Sequence, residues 1–212
     1  AKLDERTSAI VTKEGYAHHL FVGNDGKYNL KKSDVIVDTS SVESIREHVL
    51  ACGIKSVQFG GTWHGGYHTQ QDPEEVSHFL FGVRDIKVQN YLEIGCADGG
   101  LTRLFCDVVP VKNVTHIDIG WADATVPFTY RNNLLNLRNS GKIDIFRGDS
   151  HTEKVKKFLD GRKFDFIFID GDHSTEGVVK DTILATEYAS DNCIFAYHDI
   201  ILPEIQPVMK NL

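Results

Sequence analysis

The chain has 212 residues, 41% of them apolar and 25% charged, enough to bury one sizeable core, and it contains no apolar run long enough to span a bilayer. Twenty-three basic residues stand against 30 acidic ones for a formal charge of −7, with no Lys/Arg stripe, which argues against a nucleic-acid partner and against a membrane one. The four cysteines, Cys52, Cys96, Cys106 and Cys193, show no Cys-x-x-Cys pair, and no charged-then-apolar leader opens the sequence, so free thiols in a reducing cytoplasm are expected. The first residue is Ala rather than Met, which reads as a processed or trimmed start.

In chain order, Ala9 to Val22 and Lys27 to Leu30 flank the turn cluster Gly23-Asn24-Asp25-Gly26, which predicts a hairpin. His18 and His19, adjacent on a strand, would point to opposite faces. Ser41 caps a predicted helix carrying Val42, Ile45 and Val49 and ended by Gly53, and a short strand follows over Ser56 to Phe59. Gly60 to His68 is glycine-rich and without apolar periodicity, a lid-like loop. Its Trp63 and Tyr67, with Gln70 and Gln71, lie just before the first helix that flanks the sheet and by themselves read as a solvated loop. His64 and His68 have helical metal spacing, but glycines between them and the lack of a third ligand argue against zinc. These first 71 residues read as a small α+β extension.

From Asp72 onward, helical and strand patterns alternate with short connections, the signature of a parallel sheet wrapped by helices. Asp72-Pro73-Glu74-Glu75 starts a helix through Val76, Phe79 and Leu80. Strands are predicted at Tyr91–Ile94, Val114–Ile119, Ile143–Phe146, Phe164–Ile169 and Cys193–Tyr197, with helices at Leu101–Val108, Phe128–Leu137, Val155–Leu159 and Gly177–Ala189. Phe164-Asp165-Phe166-Ile167-Phe168-Ile169 is apolar enough to be central and buried on both faces. The fold class is therefore α/β, a Rossmann-like, doubly wound, mostly parallel sheet over residues 72–212.

Glu93-Ile94-Gly95-Cys96-Ala97-Asp98-Gly99-Gly100 lies where the first sheet strand passes to a helix, so its glycines and free helix amides suit a polar ligand. A tight turn alone would also use glycine. The pattern is not the Gly-x-Gly-x-x-Gly of dinucleotide folds, and Glu93 would repel a pyrophosphate, so a cationic or amine-bearing ligand fits better. Glu93-x-Gly95-x-x-x-Gly99 resembles motif I of the class I S-adenosylmethionine-dependent methyltransferases.

That resemblance implies a cofactor site made by Glu93, Gly95, Cys96, Ala97, Asp98 and Gly99. Asp118, ending the second strand, would hold the ribose hydroxyls, and Asp149 with Ser150 the adenine edge. Asp118 also lies about 20 residues beyond the glycine turn, where a dinucleotide's ribose-binding acid would sit, so a nicotinamide-dependent oxidoreductase stays open. Ile169-Asp170-Gly171-Asp172-His173-Ser174, with Glu176, Val179 and Asp181 after it and Tyr197-His198-Asp199 ending the fifth strand, is similar to small-molecule O-methyltransferases, in the branch of macrolide-sugar methyltransferases and cephalosporin-hydroxylase-like proteins.

A strand order of 3-2-1-4-5 would set the Glu93 turn beside Asp170 at the switch point. The resemblance then implies Asp170, Asp172 and His173 against the cofactor, Mg²⁺ on Asp170 and Asp199, and Asp170 with His198 in catalysis. His198 departs from the all-oxygen set that Mg²⁺ prefers, and is a general base, a supporting partner or a sign that no metal binds. Asp172, His173 and His198 taken singly could equally cap helices or bond neighbouring loops.

The resemblance covers roughly residues 72 to 199. The family continues with a helix and an antiparallel strand pair, which Ile200 to Leu212 cannot supply, so the sequence is cut short or the N-terminal strands complete the sheet. An uncovered fifth strand would favour a homodimer. The expected activity is S-adenosylmethionine-dependent methylation of a small hydroxylated acceptor, a sugar or secondary metabolite. A non-catalytic nucleoside-binding fragment is the third reading.

Overall fold

The computed structural model describes residues 7–11, 17–22, 28–29, 36–52, 71–97, 99–119 and 142–211. The predicted strand at 56–59, the glycine-rich loop at 60–68 with Trp63, His64, Tyr67 and His68, Gln70, Asp98 and the predicted helix at 128–137 lie outside them. The chain clusters into two compact units.

One unit contains residues up to Asp85 and the stretch Asp98–Val108. Its strands β1 (Thr7–Val11), β2 (Ala17–Val22) and β3 (Tyr28–Asn29) form an antiparallel sheet in the order β1-β2-β3. The pairing Phe21↔Asn29 agrees with the expected hairpin. The segment Ala9 to Val22, read as one arm, is instead two strands paired through Thr7↔Phe21, because Lys13-Glu14-Gly15 interrupts the apolar pattern between them.

Helix α1 (Val42–Ala51) starts at Ser41, whose hydroxyl accepts the Ser44 N–H at 3.0 Å, and buries Ile45 and Val49. Helix α2 (Pro73–Val83) starts at Asp72, whose carboxylate accepts the Glu74 N–H at 2.8 Å. Pro73 at its first position lacks only an N–H that the helix would leave unused. Helix α3 (Gly100–Val108) brings Phe105 to Phe79 of α2, ring centroids 6.1 Å apart.

The other unit is built on β4 (Val88–Ile94), β5 (Val111–Asp118), β6 (Lys142–Arg147), β7 (Phe164–Ile169) and β8 (Ala189–Tyr197). All pairings are parallel and the order is β6-β5-β4-β7-β8, which is the expected 3-2-1-4-5. With it come α4 (Glu153–Leu159) and α5 (Thr175–Tyr188).

Strand alternation gives the sheet two unlike faces. Leu92, Ile94, Ile117, Ile167 and Ile169 pack with Val155 and Leu159 of α4 and Leu184, Ala185 and Tyr188 of α5 in one apolar cluster. The residues between them, Tyr91, Glu93, His116, Phe166 and Phe168, are also buried but mix aromatic with ionisable side chains. Asp165 secures the start of β4, its two carboxylate oxygens accepting the N–H groups of Gln89 and Asn90 at 2.9 and 2.8 Å. Beyond β8, residues through Asn211 form turns and one short helix, Gln206–Met209. No helix among the described residues is long and apolar enough to cross a membrane.

Candidate functional site

The β4 turn is locked against the end of β7. The Asp170 N–H donates to the Ile94 carbonyl at 2.8 Å, and the Gly95 N–H donates to the Ile117 carbonyl at 2.9 Å. Gly95 has φ +84, and a Cβ there would lie 2.0 Å from the Asp170 carbonyl oxygen, so the close approach of the two strand ends requires glycine. The predicted juxtaposition of the Glu93 turn and Asp170 is thus realised by backbone contact.

The next residues wrap toward β5. Cys96 is buried, and Ala97, at the unusual φ of 42, donates its N–H to Asp118 Oδ2 at 2.9 Å. Asp118, Gly95 and Asp170 therefore line one carboxyl edge of the sheet, where open α/β folds bind ligands. Gly99, φ 72, accepts the Arg103 N–H at 3.1 Å at the head of α3, in the other unit.

Glu93 occupies a different place. It is 1% exposed, accepts the Tyr91 hydroxyl at 2.9 Å, and lies 3.7 Å from His116 Nε2, opposite it in the β4–β5 register. Burial pulls the His116 imidazole down to about 3, so at neutral pH it meets that carboxylate uncharged.

The ends of β7 and β8 bring two carboxylates and two imidazoles together. His173 Nε2 is 3.3 Å from Asp170 Oδ1 and 3.4 Å from Asp199 Oδ2. His198 Nδ1 is 3.2 Å from each of the same two oxygens. The four groups alternate in a ring, each imidazole facing both acids. Burial raises the Asp170 carboxyl, but the hydrogen bonds from His173 and His198 outweigh it and hold the group below its ordinary value. The Asp170 partnership raises His173 in turn, against its own partial burial. Asp199 has φ 54, which turns the chain as β8 ends.

Asp172 takes a capping position: its Oδ1 accepts the Ser174 N–H at 2.9 Å, and Ser174 Oγ accepts the Gly177 N–H at 3.0 Å at the start of α5. That Ser174 amide holds Asp172 below the usual carboxylate range. Asp149 is exposed and accepts the His151 N–H at 2.8 Å. Ser150 donates its hydroxyl to Asp181 Oδ1 at 2.6 Å, and His151 Nε2 is 3.1 Å from the same oxygen. Burial pushes Asp181 above its ordinary value. The sequence reading missed His151 and gave Asp181 no role. The direct succession Asp149-Ser150-His151 was the available signal.

A parallel five-stranded sheet in the order 3-2-1-4-5, with a glycine turn seated on a neighbouring strand end, matches the Rossmann-like methyltransferase fold. Residues 92–200 match the family described as a methyltransferase domain, and the chain belongs to that family. Uncharacterized protein R132 of Acanthamoeba polyphaga mimivirus is 24% identical over 169 residues, 75% of this chain and 72% of that protein. Similar solved structures include an O-methyltransferase from Bacillus cereus in complex with SAH, with 17% identity, TM-score 0.50, and coverage of 84% of this chain and 80% of that one. A SAH-bound methyltransferase of Podospora anserina gives 16% identity, TM-score 0.50, and coverage of 76% and 63%. Precorrin 8w decarboxylase of Methanobacterium thermoautotrophicum gives 15% identity, TM-score 0.50, and coverage of 68% and 72%. At these identities the likeness is one of fold.

Proposed function

We propose that this chain transfers a methyl group from S-adenosylmethionine to a hydroxyl of a small molecule, a sugar or secondary metabolite, with a divalent cation such as Mg²⁺ held by Asp170 and Asp199. The observation that carries this reading is the seating of the Gly95 turn on Asp170 while Asp118 accepts the Ala97 N–H, which puts the Asp118 carboxylate and the acid–imidazole ring on one sheet edge. The family and the SAH-bound fold neighbours support the cofactor. Four cysteines without a disulfide support a reducing, cytoplasmic setting.

The residues present fit a cation. Asp170, His173 and Asp199 each offer one ligand atom within 4.8 Å of the others, and the His173 nitrogen lies 3.3 and 3.4 Å from the two carboxylate oxygens, separations that one ion spans with bonds of about 2.0–2.2 Å. The two carboxylates suit Mg²⁺ or Mn²⁺, and the imidazole nitrogen inclines the donor set toward Zn²⁺.

When bound, the cofactor supplies a methyl carbon already activated by its sulfonium, and the cation lowers the pKa of an acceptor hydroxyl. Asp118, fixed by Ala97, offers its carboxylate to the ribose hydroxyls. His198, its Nδ1 3.2 Å from both carboxylates and both ring nitrogens buried, supports Asp170 and Asp199 from inside the site rather than as an exposed base. Ile200 and Ile201, both exposed directly after Asp199, offer apolar surface to the acceptor's carbon skeleton. Alignment of nucleophile, methyl carbon and leaving sulfur supplies most of the rate.

Calorimetric titration of the full chain with S-adenosylhomocysteine and with NAD⁺ tests the cofactor, with heat expected from the first alone. Heat from NAD⁺ alone, or from neither, overturns the reading. Methyl transfer to a panel of hydroxylated acceptors with Mg²⁺ or Mn²⁺ tests the reaction. Tight S-adenosylhomocysteine binding with no turnover on any acceptor would leave a nucleoside-binding protein.

A further inference from the structure

A second cluster of metal-ligating side chains lies in the other unit, on α1 and α3. His48 and Cys52 stand one helical turn apart at the carboxyl end of α1, where the Cys52 N–H caps the helix by donating to the His48 carbonyl at 2.9 Å. His48 Nε2 lies 3.6 Å from Cys52 Sγ and 3.1 Å from Oδ2 of Asp107 on α3. Nε2 therefore faces a carboxylate oxygen, and the sulfur, 4.0 Å from Nδ1 as well, stands beside the ring. The His48 and Asp107 side chains are only 11% and 6% exposed. The remaining carboxylate oxygen, Asp107 Oδ1, forms an ion pair at 3.0 Å with Nη2 of Arg103, a fully buried residue one turn earlier on α3.

We propose that His48, Cys52 and Asp107 form a zinc site that ties the end of α1 to α3. The donor types, rather than their present spacing, match what zinc demands. Bonds of about 2.3 Å to sulfur and about 2.0–2.1 Å to nitrogen and oxygen at tetrahedral angles put sulfur about 3.5 Å, and oxygen about 3.3 Å, from the nitrogen. The observed separations from Nε2 are 3.6 and 3.1 Å, but Cys52 Sγ is also 4.0 Å from Nδ1, where an ion on Nε2 would leave it about 5 Å away, so uptake needs the Cys52 side chain to swing by about 2 Å. His, Cys and Asp together are also a borderline-soft donor set, which zinc accepts and Mg²⁺ does not. Arg103 acts from outside the donor set: it fixes Oδ1, so Oδ2 is the oxygen presented to the ion. Uptake needs a thiolate at Cys52 and an unprotonated Nε2 at His48, so binding releases protons and weakens in acid. The fourth position falls to water. This site shares no residue with Asp170, His173 and Asp199, and its tests do not depend on methyl transfer.

Cobalt(II), titrated into the full chain, is the probe, because a tetrahedral thiolate site adds a sulfur-to-cobalt charge-transfer band that the Asp170 cluster has no sulfur to produce. The band is expected in the wild-type protein, unchanged in Asp170→Asn, lost in Cys52→Ser and His48→Gln, and abolished by an excess of zinc over both candidate sites. Its absence from the wild type, or its survival in Cys52→Ser, overturns the proposal. A second measurement needs no variant: zinc is expected to slow iodoacetamide labelling of Cys52, followed by peptide mass mapping, at least tenfold. Unchanged labelling at saturating zinc refutes the site.

Discussion

The Ala97 backbone N–H and the Asp118 carboxylate, 21 residues apart in the chain, are joined by a 2.9 Å hydrogen bond that couples the glycine turn to the end of the neighbouring strand. A hydrogen bond to a charged group contributes about 1.5–3 kcal/mol, and here it also steadies a residue at φ 42. Asp118→Ala is expected to weaken S-adenosylhomocysteine binding by roughly tenfold to a hundredfold, read by calorimetry. Asp118→Asn, which keeps an acceptor oxygen, falls in between. Wild-type affinity in Asp118→Ala would remove Asp118 from the nucleoside site.

Gly95 and Gly161 both have positive φ, but they differ in surroundings. A methyl group on Gly95 would run into the Asp170 carbonyl, whereas nothing lies within 4 Å of one on Gly161. Gly161→Ala should cost only the backbone strain, about 1 kcal/mol, and Gly95→Ala that strain plus overpacking, about 2–5 kcal/mol in urea unfolding. Equal costs would mean that the strand ends are not in contact in solution.

The buried His116 makes stability pH-dependent with a definite sign. Its folded-state value is depressed to about 3 from an ordinary 6.5, so its contribution is fully present above pH 6.5. As pH falls below that, only the unfolded chain takes up the proton, and about 1.4 kcal/mol is lost per pH unit until the folded value is reached. His116→Gln should therefore flatten the wild-type loss of unfolding free energy between pH 6 and 4 by about one proton. Parallel curves for the two proteins would refute the buried neutral imidazole.

Asp181 has the opposite sign. Burial raises its folded-state value, so the stability tied to its neutral form is full below the ordinary 3.8 and declines as pH rises through the folded value. Asp181→Asn is expected to be at least as stable as the wild type at pH 7, with the gap closing toward acid. Its weaker hold on Ser150 and His151 should lower S-adenosylhomocysteine affinity several-fold. A loss of more than about 3 kcal/mol at pH 7 would show that the ionised carboxylate is a net stabiliser through its partners.

The strand order was legible because each β–α unit carries its own local punctuation, and right-handed crossovers leave few ways to assemble them. The strand Phe164–Ile169 is legible residue for residue, since a largely apolar run preceded by Arg162-Lys163 and followed by Asp170-Gly171 has marked ends. The meeting of Gly95 with Asp170 followed from that order. Glu93 shows where such reasoning stops: a carboxylate one residue before the turn looks as though it should face the ligand, yet its strand parity points it at Tyr91 and His116. The pairing of Asp181 with Ser150 spans 31 residues, and that of His48 with Asp107 spans 59, and neither separation leaves a periodic trace in sequence.

Strand β4 is the first of the parallel sheet to be made but pairs on one side with β7, through contacts such as Asn90 with Asp165, 75 residues later. A chain emerging from the ribosome can set β4 beside β5 early, yet that inner edge stays open until Ile169 has been synthesised. Closing so long a loop is an entropic delay rather than an enthalpic one. Newborn molecules thus pass through a stage with Leu92 and Ile94 lacking their final cover, when chaperone capture competes with completion of the sheet.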